Sequence, residues 1–507
     1  MFSKISLKQN IVSNFAGQGW TFLIGIITVP IYINFLGIDG YGLLGFYSAL
    51  QATFNLFLDF GLSVTIKREI ARYAASPEKM KQARNLLRTM EIPYWFIGLF
   101  LSLIVCFSAP LLSTYWIQSK TIPSSTIEIV IVIMGIITFF RWPLTLYQGG
   151  LIGLQKIILL NSINVIVVTF RGAGSILTIW LASEPIIAFF LWQIVVSIVQ
   201  LGITIYYLWH NLPSGDGTPH FQKDIIMEIW RFALGMGGTS LFTFFLTQAD
   251  KIILSKVLSL EHFGYYSLAS HLNEQLKMVN TQIIQPLFPY LSSLVSTNNK
   301  EKLRTIYHKS SQLVAIVILP IAGTAVFFSR ELIYLWQQDM ELASIVAPIA
   351  TLLFAGTVFY SLLEVQIIST IAYGWVKFTF YRSLILSIIF IPLLTALSLE
   401  YGGVGAALAW SLLNLAQLIF LPFIVHYKIL KGELKYWHIF DVGIPLFLSI
   451  TILSLARWLM PSQPTLFQLT LIIGMTVIAV IVVVGLSAKD IRAWGIELFN
   501  KYRTERV

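Results

Sequence analysis

Residues 129–150 read IVIVIMGIITFFRWPLTLYQGG, an apolar run whose one charge, Arg141, sits near its middle. Coiled as an α-helix rising about 1.5 Å per residue, such a run is as long as the roughly 30 Å hydrocarbon core of a bilayer. Runs of the same kind fill the rest of the chain. Working outward from this one, near 126–150, spans are predicted near 13–35, 41–65, 92–113, 157–181, 185–208, 231–256, 263–291, 311–329, 343–372, 378–398, 402–426, 438–458 and 466–487. Composition agrees: of 507 residues 56% are hydrophobic and 11% charged, where a soluble domain carries about a quarter charged residues. The expected fold class is an all-α polytopic membrane protein of about 14 transmembrane helices.

The stretch Met1 to Asn10 is polar, and the span after it continues through Pro30 without the small-residue cleavage site of a signal peptide, so it is expected to remain in the mature protein. Cys106, the single cysteine, lies in an apolar run; it allows no disulfide within the chain and reads as a small core residue. The net charge of +10 is not a nucleic-acid signature, because lysine and arginine gather in alternate loops. With the N-terminus inside, Lys67 to Arg88, Lys300 to Lys309, Lys428 to Lys435 and the tail from Lys489 to Arg506 all face the cytoplasm. Lys120, Lys256, Arg330 and Arg457 fall outside. Both termini are then expected to be cytoplasmic.

An internal repeat appears at an offset of about 220 residues. Leu36-Gly37-Ile38-Asp39-Gly40-Tyr41-Gly42 matches Leu258-Ser259-Leu260-Glu261-His262-Phe263-Gly264, Gly153 to Lys156 matches Gly374 to Lys377, and Trp192 matches Trp410. Six spans precede the repeat, so the two halves share one orientation. The predicted organisation is an N-lobe over 1–210, a cytoplasmic linker over 211–228, a C-lobe over 229–430, two further helices over 431–490 and a tail over 491–507. Two parallel six-helix lobes around a central cavity suit alternating access by rocking. The connectors near 66–90, 209–228 and 293–310 are too short to bury a core of their own.

Charges inside spans cost about 2.5–3.5 kcal/mol each at helix centre and commonly face a polar interior. Eight are read here: Asp59, Arg141, Arg171, Asp250, Lys251, Glu274, Lys277 and Glu364. Arg141, Arg171, Lys251 and Lys277 are the candidate substrate-binding cations; Asp59, Asp250, Glu274 and Glu364 are the candidate coupling or cavity carboxylates. The competing explanation is structural ion pairing, and Lys277, one turn from Glu274, is its clearest case. In the eighth span His271, Glu274, Lys277 and Thr281 form a polar stripe with too few further ligands for a metal site. Pro143 is expected to kink the fourth span beside Arg141, and Gly172 and Gly174 to loosen the fifth beside Arg171. A guanidinium among aromatic rings suits a phosphate with attached sugars, since arginine bonds phosphate oxygens in pairs.

Phe35 to Gly42, Asp59-Phe60-Gly61-Leu62 with Arg68-Glu69-Ile70-Ala71-Arg72, and Asp250 to Leu254 through Phe263 to Ser267 resemble the polysaccharide-transport family of the multidrug/oligosaccharidyl-lipid/polysaccharide exporter superfamily, and within it Wzx-type O-antigen flippases. The likeness runs from about residue 10 to about residue 430. It implies translocation of an undecaprenyl-pyrophosphate-linked oligosaccharide from the cytoplasmic to the outer leaflet, as in O-antigen and lipopolysaccharide biosynthesis. It implies a role for Asp250 and Lys251, no cofactor, no nucleic acid, membrane lipids as surroundings, and a polysaccharide polymerase and chain-length regulators as protein partners. Arg141 and Arg171 match by type and depth only.

Two other classes compete. A cation-coupled multidrug exporter of the same superfamily wants an anionic, apolar cavity, whereas the eight charges divide evenly in sign. A membrane glycan polymerase or ligase needs acids, bases or a metal at the outer surface, and the outer loops carry little beyond Asp39, Glu184, Glu261, Asp339, Glu341 and Glu400. A scaffold role for the basic loop from Lys67 to Arg88 is compatible with transport.

Overall fold

The computed structural model describes residues 7–59, 62–74, 80–212 and 218–493. Helices account for nearly all of it; among the described residues the β feature is one isolated parallel bridge, Gln118 with Ser259. By packing the chain divides into Met1–Gly264 and Tyr265–Val507. The first unit holds α1 (Leu7–Asp59), α2 (Leu62–Ala74), α3 (Met80–Leu111), α4 (Ser124–Gly153), α5 (Ile157–Leu181), α6 (Pro185–Asn211), α7 (Lys223–Val257) and the first turn of α8 (Leu260–Ile284). The second holds the rest of α8, then α9 (Leu287–Ser296), α10 (Lys300–Ile318), α11 (Thr324–Phe327), α12 (Ser329–Gln337), α13 (Met340–Ala372), α14 (Val376–Lys428), α15 (Leu434–Tyr436), α16 (Ile444–Trp458) and α17 (Leu466–Ser487). Short π-helical stretches at Leu112–Trp116, Leu319–Gly323 and Trp437–Gly443 interrupt this pattern.

α1 and α14 each run for 53 residues, or about 80 Å if straight, against a core of about 30 Å. Each is two passes joined at a glycine with non-helical backbone: Gly37 at φ 71° and Gly402 at φ 59°. Only a residue without Cβ takes such angles cheaply. Among the described residues ten helical stretches are long and apolar enough to cross a membrane. Two of them, Val12–Asn55 and Val376–Lys428, hold two passes apiece, and α7 and α8 are helices at the places of the seventh and eighth of about fourteen expected spans. The protein is a multi-pass membrane protein. Its surface reads accordingly: on α3, Phe96, Phe100 and Phe107 are exposed while Tyr94, Leu101, Val105 and Ala109 are buried. The lipid-facing side is as apolar as the packed side.

Some boundaries differ from the sequence reading for a definable reason. α3 begins at Met80 rather than near 92, because Ala83, Leu86, Leu87 and Met90 recur at helical spacing and bury into the core of the first unit. α10 likewise begins at Lys300, capped by the Asn299 side chain accepting from the Lys302 amide at 3.1 Å. Both are basic on one side and apolar on the other, which an average over hydropathy hides.

The repeat is visible in backbone chemistry. At the end of α4 the Lys156 amide donates to the Leu151 carbonyl and that of Gln155 to Ile152; at the end of α13 Trp375 donates to Thr370 and Gly374 to Ile371. These are the same left-handed helix cap, with Gln155 at φ 58° and Gly374 at φ 68°. Gln155 is therefore the counterpart of Gly374, a register two residues away from the match of Gly153 with Gly374 read on the sequence. The helices that follow, α5 and α14, start from equivalent turns.

Candidate functional site

In the first unit the two sequence-predicted arginines act on one region. Arg141, on α4, donates from Nη1 to the Tyr47 hydroxyl of α1 at 2.9 Å. Arg171, on α5, donates from Nη2 to Oε1 of Gln200 on α6 at 3.0 Å, and Gln200 in turn donates to Asn164 at 3.5 Å. The Arg171 Nε is buried and makes no hydrogen bond. Arg141 lies within electrostatic range of Arg171, as do Tyr32 and Tyr47. Both arginines are half-buried, and among the described residues their partners are neutral: a phenol and an amide, with no carboxylate paired to either. Two like charges held near each other without a counter-ion are costly, and an anion with several oxygens relieves that cost.

The elements that hold them pack closely against their neighbours. α4 passes through Pro143 as one continuous helix; the Phe139 carbonyl, whose helical donor Pro143 lacks, faces Gly98 of α3, where a Cβ would come within 3.2 Å of it. Gly172 and Gly174 do not loosen α5. A Cβ on Gly172 would lie 3.0 Å from Ile24 of α1, and one on Gly174 would fall 2.0 Å from the Trp192 ring. These glycines let helices approach closely, and the Trp192 indole so admitted donates to the Arg171 carbonyl at 3.2 Å.

Other predicted residues are placed less simply. Asp250 and Lys251, on α7, are half-buried and each is engaged with neighbours. Asp59 ends α1, but its side chain lies outside the described residues, as do Phe60 and Gly61 of the same motif. In the second unit Lys277 pairs with Glu274 at 3.3 Å and sits 4.5 Å from the centre of the Trp410 ring. Lys277 is thus a cation already matched by a carboxylate and a π face, as the pairing alternative anticipates. Glu364, on α13, accepts from the Asn280 side-chain amide of α8.

Two further charges in the predicted spans, half-buried Arg382 and buried Asp441, are not among the eight read on the sequence. Arg382, in the span near 378–398, donates from Nη1 to Oε1 of Gln417 at 3.1 Å. Asp441, in the span near 438–458, is 0% exposed and bonded to His308 and Gln312. Each lies within about a turn and a half of a span end, where a charge reads as flanking rather than internal. The neutral partners Tyr47, Gln200 and Gln417 carry no signal in a single sequence.

The family described as "Polysaccharide biosynthesis protein" matches residues 7–295, more than half of the chain. The chain belongs to that family. The MatE family matches residues 236–395 of this polysaccharide biosynthesis family member. Among curated proteins it is 22% identical over 417 residues to a Shigella flexneri protein named "Putative O-antigen transporter", covering 80% of this chain and 95% of that one. A protein of the same name from Escherichia coli (strain K12) is 20% identical over 301 residues, 58% of this chain and 67% of the relative. Among solved structures it is similar to the lipid II flippase MurJ in an inward closed conformation, with TM-score 0.73 and 16% identity over 95% of this chain and 99% of that one. An inward-facing multidrug resistance MATE family transporter of the MOP superfamily gives TM-score 0.63 and 14% identity over 85% and 97%. At such identities the structural likeness concerns the fold.

Proposed function

We propose that this protein is a flippase that moves an undecaprenyl-pyrophosphate-linked oligosaccharide, an O-antigen or related polysaccharide repeat unit, from the cytoplasmic to the outer leaflet of the bacterial inner membrane. The observation that carries the reading is the pair Arg141 and Arg171: two half-buried guanidiniums in one region, bonded to neutral groups only among the described residues. The names of the curated relatives and the likeness to a lipid flippase support it. On this reading the pyrophosphate bonds the two arginines, Tyr32, Tyr47 and the ring of Trp192 stand beside it for the first sugars, and the polyprenyl tail stays in lipid. Both termini are cytoplasmic, the cycle is alternating access about a central cavity, and the chain performs no covalent chemistry. Lys251 and Lys277 remain its further candidate substrate-binding cations, and Asp59, Asp250, Glu274 and Glu364 its candidate coupling or cavity carboxylates. A polysaccharide polymerase and chain-length regulators are its protein partners.

The test is reconstitution of the purified protein in vesicles with a fluorescent undecaprenyl-pyrophosphate glycan, following its appearance in the opposite leaflet. Arg141→Gln and Arg171→Gln are each expected to lower flipping at least about tenfold, the effect of losing one charge-assisted contact of 1.5–3 kcal/mol, with unchanged melting in detergent. Wild-type flipping with both variants unaffected discards the site. Absence of wild-type flipping, together with export of a hydrophobic cation, turns the assignment to the multidrug exporter to which the MatE match also points.

A further inference from the structure

Arg382 is a half-buried charge of the second unit to which the reading above gives no task. It lies on the first pass of α14 and donates to Gln417 on the second pass at 3.1 Å. Gln417 donates onward to Asn414 at 3.3 Å, and Asn414 to the Trp410 carbonyl at 2.8 Å. Tyr360 of α13 lies within electrostatic range of Arg382. Glu364, the acid that acts on Tyr360, accepts from Asn280. Among the described residues no carboxylate pairs with Arg382. A guanidinium carries five N–H donors in a rigid fork, and one amide oxygen leaves most of that fork unspent.

The arrangement repeats the first unit's. There too an arginine on the fifth pass of a repeat, Arg171, donates to a glutamine amide oxygen on the sixth, Gln200, at 3.0 Å. The depth differs. α5 and α14 both start from the same left-handed cap, and Arg171 lies about 21 Å along its helix while Arg382 lies about 9 Å along. Arg382 is thus close to the end of α14 marked by Lys377 and by Lys428, whose ammonium lies 3.9 Å from the centre of the Trp375 ring.

Building on the flippase reading, we propose that Arg382, with the Gln417 and Asn414 amides, is a shallow anion subsite that engages an anionic oxygen group of the lipid-linked glycan as it enters from this basic end. The group is a phosphate of the carrier or a carboxylate of an acidic sugar, which present the same paired oxygens to a guanidinium. A shallow entry subsite acts on capture rather than on the step of crossing.

The test uses full-length protein in vesicles and compares wild type, Arg382→Gln, Arg382→Lys, Gln417→Leu and Arg141→Gln. Probes are undecaprenyl pyrophosphate without sugar, a neutral undecaprenyl-pyrophosphate glycan, and the same glycan ending in a uronic acid. Arg382→Gln is expected to raise the half-saturating concentration about tenfold with little change in maximal rate, Arg382→Lys to recover part of the loss, and Gln417→Leu to reproduce it in milder form. Loss with all three probes assigns the subsite to phosphate; loss confined to the uronic acid probe assigns it to the sugar carboxylate. Arg382→Gln matching wild type on every probe, while Arg141→Gln is impaired, overturns the subsite and leaves the flippase reading standing. Wild type that binds and flips none of the probes overturns both. If Arg382→Gln does not fold, Gln417→Leu and Arg382→Lys decide, since normal capture by both also overturns the subsite.

Discussion

At the scale of single residues, the positions that matter most for packing were the ones read least well. Gly172 and Gly174 look like flexibility in a sequence, because glycine weakens a helix on its own; in the fold they are contact points. Gly174→Ala is expected to cost about 1–3 kcal/mol, the range for overpacking a filled core, since its methyl would fall on the Trp192 ring. A lowered melting temperature in detergent checks it, and an unchanged one contradicts the packing described. Gln155 offers the reverse case. It holds a left-handed conformation at φ 58° where its counterpart in the second repeat is Gly374, so Gln155→Gly should stabilise by about 1 kcal/mol, seen as a modest rise in melting temperature. Arg141, Arg171 and Lys277 are all legible as charges in spans, and so is the alternative for Lys277, whose carboxylate partner stands 3.3 Å away, one turn along the same helix.

At the scale of elements, the last two spans are tied to α10 by a buried polar cluster that the sequence reading did not reach. Nδ1 of His308 is 2.5 Å from the Asp441 carboxylate, and its Nε2 is 3.3 Å from Glu433. The Gln312 side-chain amide donates to Asp441 at 2.9 Å and to Asp490 at 2.7 Å, while its oxygen accepts from the Asp490 amide at 2.9 Å. One glutamine thus joins α10 to the π-helical start of the thirteenth span and to the residues just after α17. Gln312→Leu leaves two carboxylates short of a donor, at a cost on the order of 1–3 kcal/mol for each group left unsatisfied. Faster hydrogen exchange across 437–443 and 488–492, with α4 and α5 unchanged, is the expected signature; protection as in wild type would mean the cluster does not hold these elements. Polar residues more than 100 positions apart give no local pattern, which is why hydropathy and periodicity found the helices but not this tie.

At the scale of the whole molecule, flipping an anionic pyrophosphate outward moves negative charge through the membrane field, worth about 2.3 kcal/mol per charge per 100 mV. Outward flipping in vesicles should therefore quicken under an inside-negative potassium diffusion potential and slow when the potential is collapsed or reversed. Rates indifferent to the potential would require that compensating cations travel with the substrate. The sequence by itself determined the membrane, the fourteen spans and the repeat, because a hydrocarbon solvent demands long apolar helices and duplicated turns keep their glycines. Only the tertiary structure decided which buried charges are satisfied within the protein. Lys277 and Asp441 have their partners; Arg141, Arg171 and Arg382 bond neutral groups among the described residues. Whether a charge is paired depends on side chains that meet across helices, and a single sequence records the residues without recording those meetings.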